Sequence, residues 1–226
     1  MATHLLTGAG SGIGAVLAER LLERGDSLVA LARSTERAHD LRADLPDATV
    51  LVADLADAAA VEAVAAQLPD ALDSVVHAAG VVDLGPVTSL TTEDWQEQLA
   101  VNLLAPAVLT RVALPALRAA RGTVVFVNSG AGLAAHPQWS AYAASKFGLR
   151  ALADSLRAEE QEHGVRVTTV FPGRTATPMQ EKVHEQEGKE YDAADWIDPA
   201  TVADAILHVL DLSEDATITD LTVRPR

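Results

Sequence analysis

Cysteine is absent from all 226 residues, so neither a disulfide framework nor thiolate chemistry is available. Basic residues are scarce: 17 lysines and arginines stand against 32 aspartates and glutamates, a formal net charge of −15. Nucleic acids and anionic membranes recruit proteins through basic patches, so neither is expected as a partner. The opening MATHLLTGAG has no basic segment leading into a long apolar run, and no signal peptide is expected. No apolar run is expected to reach the roughly 18 residues of a membrane span. Internal repeats, low-complexity tracts and linker-like stretches are also missing. One soluble, cytoplasmic domain over 1–226, without a metal site, is the expectation.

What the chain does have is apolar bulk. Hydrophobic residues make up 49% of it, enough for a large core, so disorder is not expected. Short runs rich in β-branched residues alternate with longer segments of helical spacing. The strand candidates are Thr3–Thr7, Ser27–Ala32, Thr49–Ala53, Ser74–His77, Thr123–Asn128, Val165–Phe171 and Thr217–Thr222. Gly14–Arg24 and Ala58–Leu68 are among the helical segments between them. Such alternation implies βαβ units and a parallel sheet. Strands buried on both faces explain continuous runs such as TVVFVN. The expected fold class is α/β: a single-domain, Rossmann-type, doubly wound parallel sheet of about seven strands with helices on both faces.

Two stretches break the rhythm. Ala100–Leu117 predicts a long helix with Asn102 near its start. The polar stretch 178–196, PMQEKVHEQEGKEYDAADW, follows the sixth strand, where a loop overhangs the C-terminal edge of the sheet. Ligands bind at that edge in open α/β sheets. The stretch is therefore either a substrate lid or an ordinary surface helix.

The first strand runs into TGAGSGIG, Thr7 to Gly14, and then into a helix. Glycines there permit a tight turn and close backbone approach to phosphate oxygens. The helix N-terminus adds free N–H groups and the positive end of its dipole. The spacing is TGxxxGxG, with Gly8, Gly12 and Gly14, rather than GxGxxG. A second short motif lies in SAYAASKFG, Ser140 to Gly148, where Tyr142 and Lys146 fall on one face of a helix. A phenol ionises at about pH 10, and bringing it to about 7 takes roughly 3 units, or about 4 kcal/mol. A nearby ammonium in a partly dry site favours the phenolate. The pair would then act as a general acid or base near neutral pH.

Together, TGAGSGIG and the downstream YAASK resemble the short-chain dehydrogenase/reductase family, in its compact single-domain branch, over essentially the whole chain. The resemblance implies a Rossmann-type fold and hydride transfer between NAD(P)(H) and alcohols or carbonyls. The family's catalytic serine lies 13 residues before the tyrosine and its asparagine about 40 before it; Ser129 and Asn102 stand at those positions. As implied, Tyr142 gives the proton in reduction and takes it in oxidation, while Ser129 holds the substrate oxygen. Lys146 lowers the tyrosine pKa and hydrogen-bonds the nicotinamide ribose. Asn102 anchors a water on a relay to Lys146.

The same resemblance maps a cofactor pocket. Its glycine turn contributes Gly8, Ser11, Gly12, Ile13 and Gly14. NAD-preferring members end the second strand with an acidic residue, but here SLVALARS puts Ala32 at that position and Arg33 next. No carboxylate repels a 2′-phosphate there, Arg33 pairs with one and Ser34 adds a hydroxyl, so NADP(H) is expected over NAD(H). Asp54, in LVADLAD, matches the aspartate that contacts the adenine amino group, with Leu55 beside it. Where the family often shows NNAG, this chain reads HAAG, His77 to Gly80. The Ala79–Gly80 turn is kept, the bracing asparagines are lost, and His77 is expected in the core. PGRTATP supplies Pro172, Gly173, Thr175 and Thr177 around the nicotinamide amide.

The expected substrate walls are Gly130, Ala131, Gly132, Trp139, Val82, Leu84, Met179 and Trp196, mostly small or apolar. They suit a small apolar ketone, aldehyde or secondary alcohol. Family members associate through the helices that here carry Asn102 and Tyr142, which implies a homodimer or homotetramer. The alternative is a non-catalytic NADP(H)-sensing or regulatory protein on the same fold. Such proteins typically lose the tyrosine or the lysine, and this chain keeps both.

Overall fold

Leu5 and Leu6, Val75 and Val76, and Val124 and Val125 are neighbours in sequence, yet each pair divides between two separate hydrophobic cores. Adjacent side chains of a strand point to opposite faces, so these strands are apolar on both sides and must be covered on both. The computed structural model describes residues 1–226. Its strands are β1 (Thr3–Thr7), β2 (Ser27–Ala32), β3 (Thr49–Val52), β4 (Ser74–His77), β5 (Thr123–Val127), β6 (Arg166–Pro172) and β7 (Asp220–Val223). They form one seven-stranded sheet in the order β3-β2-β1-β4-β5-β6-β7, and every pairing is parallel. The expected seven strands are all present. The last begins three residues later than its apolar run suggested, at Asp220 rather than Thr217.

The helices are α1 (Gly12–Glu23), α2 (Thr35–Asp44), α3 (Ala58–Ala63), α4 (Thr92–Leu99), α5 (Ala105–Ala120), α6 (Ser140–Glu160), α7 (Pro178–Glu187) and α8 (Pro199–Leu210). Leu17 and Leu21 of α1, Leu41 of α2 and Ile206 of α8 close one face of the sheet. Val61 of α3, Leu109 and Leu117 of α5, and Leu149 and Leu156 of α6 close the other. Burying residues of this size stabilises by roughly 1.5–3 kcal/mol each, which is what holds helices to both faces.

The segment around Asn102 departs from the sequence reading. Asn102 is not near the start of a helix; it lies in a π-helical turn, Ala100–Leu104, between α4 and α5. The continuous helical run Thr92–Ala120 is also long and apolar enough, by length and composition, to cross a membrane, against the expectation of no such run. Its isolated polar residues interrupt the apolar string but barely lower the average. Leu109, Ala113 and Leu117 use that apolarity against the sheet.

Strand order reverses direction at β1 and β4: the chain builds outward through β2 and β3, then returns to the far side of β1. Ligand crevices form at such switch points, beyond the carboxyl ends of the strands. The chain leaves β1 at Gly8 and β4 at Ala78, so both turns open onto that crevice.

Candidate active site

A β-carbon on Gly8 would lie 2.7 Å from the Ala79 nitrogen, and one on Gly14 would run into the Gly8 carbonyl oxygen. The turn after β1 therefore needs glycine at both positions to fold onto α1 and against the turn after β4. In the HAAG stretch the Ala79 N–H donates to Thr7 Oγ1 at 3.1 Å, which ties the turn after β4 to the end of β1. His77 is buried, stacked on Phe126 at 5.0 Å and hydrogen-bonded to Thr110 Oγ1 at 2.8 Å. Burial pulls its pKa down to about 3, so it is a neutral core residue.

The crevice is a cleft of about 860 Å³. Gly8, Ser11, Gly12 and Ile13 line one end of it. Ser11 caps α1 without using its own side chain, and no carboxylate occupies the first turn of that helix. Free N–H groups, an idle hydroxyl and no nearby negative charge make an anion cradle that suits a pyrophosphate. Ala79, Gly80, Pro172, Gly173, Thr175 and Thr177 continue the wall, as expected. Gly14, Arg33, Ser34, Asp54, Leu55 and Asn102 lie outside it. Arg33 is exposed and joins no ion pair, Ser34 Oγ caps α2 by accepting from the Arg37 N–H at 3.2 Å, and Asp54 folds its own turn by accepting from the Ala56 N–H at 2.9 Å. Arg37, which the sequence reading passed over, brings its guanidinium to 3.4 Å from where a Gly10 β-carbon would be.

Ser129, Tyr142 and Lys146 meet on the middle wall of the cleft. Ser129 lies two residues past β5 and caps the short turn Gly130–Gly132, its Oγ accepting from the Ala131 N–H at 3.1 Å. Asn128, also unforeseen, holds this wall together. Its Oδ1 accepts from the Ser129 N–H at 2.8 Å, and its Nδ2 donates to the Lys146 carbonyl at 3.0 Å. Lys146 Nζ donates to the Val127 carbonyl at 3.1 Å and sits 5.7 Å from the centre of the Tyr142 ring. Trp139 packs edge-on against the same ring at 5.8 Å.

The electrostatics reverse one expectation. Burial pushes the Tyr142 pKa up to about 12, against the pull of a hydrogen bond with Ser129. Burial also pulls Lys146 down to about 8. Desolvation penalises the charged form of both groups, and at Tyr142 it outweighs the Ser129 hydrogen bond, so the pKa rises where the spacing with Lys146 suggested a fall. The phenol is therefore held protonated.

Asn102 is buried and clamps Val81, accepting from its N–H and donating to its carbonyl, both at 2.9 Å. It also donates to Ser145 Oγ at 3.0 Å, which ties the π turn to α6. Gly80 leaves a gap beside it: a β-carbon there would lie 3.2 Å from Asn102 Oδ1 and 3.7 Å from Lys146 Nζ.

The substrate end is more polar than its expected walls. Val82, Gly130, Ala131, Trp139 and Met179 do line it, while Gly132, Leu84 and Trp196 do not. Gly132 is turned onto Asn128, and Trp196 packs behind α7 on His184 and Arg174. His136, Gln138, Arg174, Glu187, Lys189 and Arg224 take their places. They come from four separate stretches of chain, with no local pattern to announce them.

A family profile described as short chain dehydrogenase matches residues 2–188. D-threitol dehydrogenase from Mycolicibacterium smegmatis is 36% identical over 187 residues, covering 79% of this chain and 72% of that one. An alcohol dehydrogenase structure from the archaeon Thermococcus sibiricus, complexed with 5-hydroxy-NADP, superposes with a TM-score of 0.86 at 25% identity, over 100% of this chain and 97% of that one. A metagenomic short-chain oxidoreductase in complex with NADP superposes with a TM-score of 0.83 at 30% identity, over 100% and 97%.

Proposed function

The chain belongs to the short chain dehydrogenase family and is an oxidoreductase, and from that premise we propose that it uses NADP(H) to interconvert a carbonyl and its secondary or primary alcohol. One observation carries the reading: a buried tyrosine, a buried lysine and a serine hydroxyl share a wall of a cleft that runs on to a glycine-lined helix N-terminus. Gly8, Ser11, Gly12 and Ile13 would hold the pyrophosphate, and Arg33 with Arg37 would hold a 2′-phosphate. When bound, the cofactor supplies or accepts the hydride.

The side chains divide the remaining work. In reduction, the developing negative charge on the substrate oxygen needs a proton and donors aimed at it. Tyr142 gives the proton, for which a phenol pKa near 12 keeps it loaded. Ser129 Oγ donates a hydrogen bond to the same oxygen. Lys146, as an ammonium, stabilises the phenolate left behind and so limits what desolvation costs the step. The gap at Gly80, flanked by Asn102 Oδ1 and Lys146 Nζ, suits a water that would return a proton to the lysine once the lysine has passed one of its own to the Tyr142 phenolate. Met179 and Val183 of α7 lie over the tyrosine, consistent with 178–196 as a lid that keeps solvent out. A cytoplasmic homodimer or homotetramer, joined where Leu104 and Phe147 stand exposed on α6 and its neighbour, belongs to the same proposal.

The test follows NADPH absorbance with purified protein and a panel of ketones and aldehydes. Tyr142→Phe should cut turnover by about 10²–10⁴-fold while NADPH binding survives. Tight NADPH binding with no turnover by the unaltered protein would favour the sensor reading instead.

A further inference from the structure

The whole chain carries a net charge of −15, yet the cleft wall reverses that balance. Lys146, Arg174, Lys189 and Arg224 line it against a single carboxylate, Glu187. Three of the four cations have partners. Arg174 binds Glu187 through two hydrogen bonds of 2.7 and 2.9 Å, Lys189 binds it at 3.0 Å, and Lys146 donates to a backbone carbonyl. Arg224 forms no ion pair and no hydrogen bond. An unpaired guanidinium facing into a binding cleft is a ready anion site, with a planar fork matched to a carboxylate.

Its position says which end of the cleft the anion would occupy. Arg224 directly follows β7, and that edge is pinned to its neighbour: the Gly173 N–H donates to the Val223 carbonyl at 2.7 Å, and Pro225 packs where a Gly173 β-carbon would be. From there the side chain crosses to Gly130, its Nη1 lying 3.1 Å from where a β-carbon on that residue would stand. Gly130 is the residue after Ser129. The guanidinium is therefore at the reacting end, whereas the anion cradle of α1 forms the other wall. The missing side chain at Gly130 is what gives it room.

We propose that Arg224 selects substrates that carry a carboxylate close to the reacting carbonyl, so that this enzyme takes oxo acids and their hydroxy acids ahead of neutral ketones. The assignment rests on the oxidoreductase reading above and replaces the small apolar substrate expected from sequence with an anionic one.

The experiment compares pyruvate, acetoacetate and levulinate with their methyl esters, using NADPH, in the unaltered protein and in Arg224→Ala and Arg224→Lys. At least one acid should be reduced with a higher kcat/KM than its ester. Arg224→Ala should lower that acid-to-ester ratio by about 10- to 100-fold, mainly through KM, as loss of a charged hydrogen-bonded pair implies. Arg224→Lys should restore part of it. Equal rates for acids and esters, or a ratio that Arg224→Ala leaves unchanged, overturns the assignment while the oxidoreductase reading stands. A parallel fall for both series together with weaker NADPH binding overturns it too, and makes Arg224 a cofactor or structural residue. No turnover of either series while neutral ketones or aldehydes are reduced with NADPH overturns this assignment alone; no turnover of any carbonyl with NADPH bound favours the sensor reading, and this assignment falls with it.

Discussion

The two ends of the cleft are built from different materials. The end at Gly8, Ser11 and Gly12 is made of backbone: a strand end, a tight turn and the first turn of a helix, all within ten residues. The end at Gln138, Arg174, Glu187 and Arg224 is made of side chains that arrive from four places in the chain. Backbone geometry must be encoded locally, by glycines whose β-carbons would collide. Side-chain convergence is encoded only by the whole fold. A binding end made of backbone recognises what many ligands share, such as a pyrophosphate; one made of side chains can be remade without disturbing the sheet.

The largest effect that sharpens this contrast is expected at the edge of the backbone-built end. Arg33 is exposed and free of any carboxylate, and Arg37 lies beside Gly10, although Asp40 holds it at 3.2 Å. Arg33→Ala should weaken NADPH by about 10- to 100-fold, the worth of one charged hydrogen-bonded pair, and leave NADH nearly unchanged. Affinities for both dinucleotides, from quenching or calorimetry, decide it. If the NADPH-to-NADH ratio does not move until Arg37→Ala is added, phosphate recognition belongs to Arg37.

That outcome would also show where the sequence stops being informative. The seven strands and their two-sided parallel sheet were legible in local apolar runs, whereas the strand order was not, and Ser129 was set beside Tyr142 and Lys146 by the family resemblance. Strand runs apolar on both faces force a two-sided sheet, and a tyrosine and lysine four apart on α6 must face one way. Asn102 was found, but its π turn was not, since nothing in AVNLL distinguishes a five-residue turn from an ordinary one. Asn128 stood in VFVNS beside Ser129 and looked like the end of a strand; a buried amide there was its only signal. Arg224 had none, because its importance comes from β7 lying next to β6. The tyrosine's electrostatics were misjudged because spacing shows who is near whom, but not how dry the site is.

A middle-sized effect probes the wall between the two ends. Lys146 is pulled from 10.5 down to about 8 by burial, while Tyr142 is pushed from 10.0 up to about 12. Carbonyl reduction should be level below pH 8 and fall above it as one proton leaves Lys146, with Tyr142 still loaded. Stability should move the other way. Between about pH 8 and 10 the unfolded chain holds its lysine proton longer than the native one, so this group's contribution to stability rises with pH. Above 10 the tyrosine reverses the trend, because the unfolded chain loses that proton first. A pH profile of kcat/KM, set beside thermal melts, reads both. Rate and melting temperature falling together across pH 8–10 would mean that the rate loss is unfolding rather than titration of Lys146.

The smallest effect is expected at the polar seam that closes the substrate end. Asp83, in the loop after β4, takes the Lys182 ammonium at 2.7 Å and the Gln186 side chain at 3.0 Å, and Gln186 accepts from the Leu84 N–H at 3.0 Å. These contacts fasten α7 over Tyr142 from the outside. The Lys182–Asp83 pair is half-exposed on the lysine side, and such pairs are worth at most about 1 kcal/mol and are screened by salt. If α7 closes on substrate, Asp83→Asn should raise KM by no more than about fivefold and should lessen the rise in KM that added salt causes in the unaltered protein. The Leu84–Gln186 hydrogen bond would remain, so folding should not suffer. A KM equally sensitive to salt with and without the aspartate would assign that sensitivity to the substrate's own charge at Arg224, so combining Asp83→Asn with Arg224→Ala separates a fastening at the rim from recognition at the reacting end.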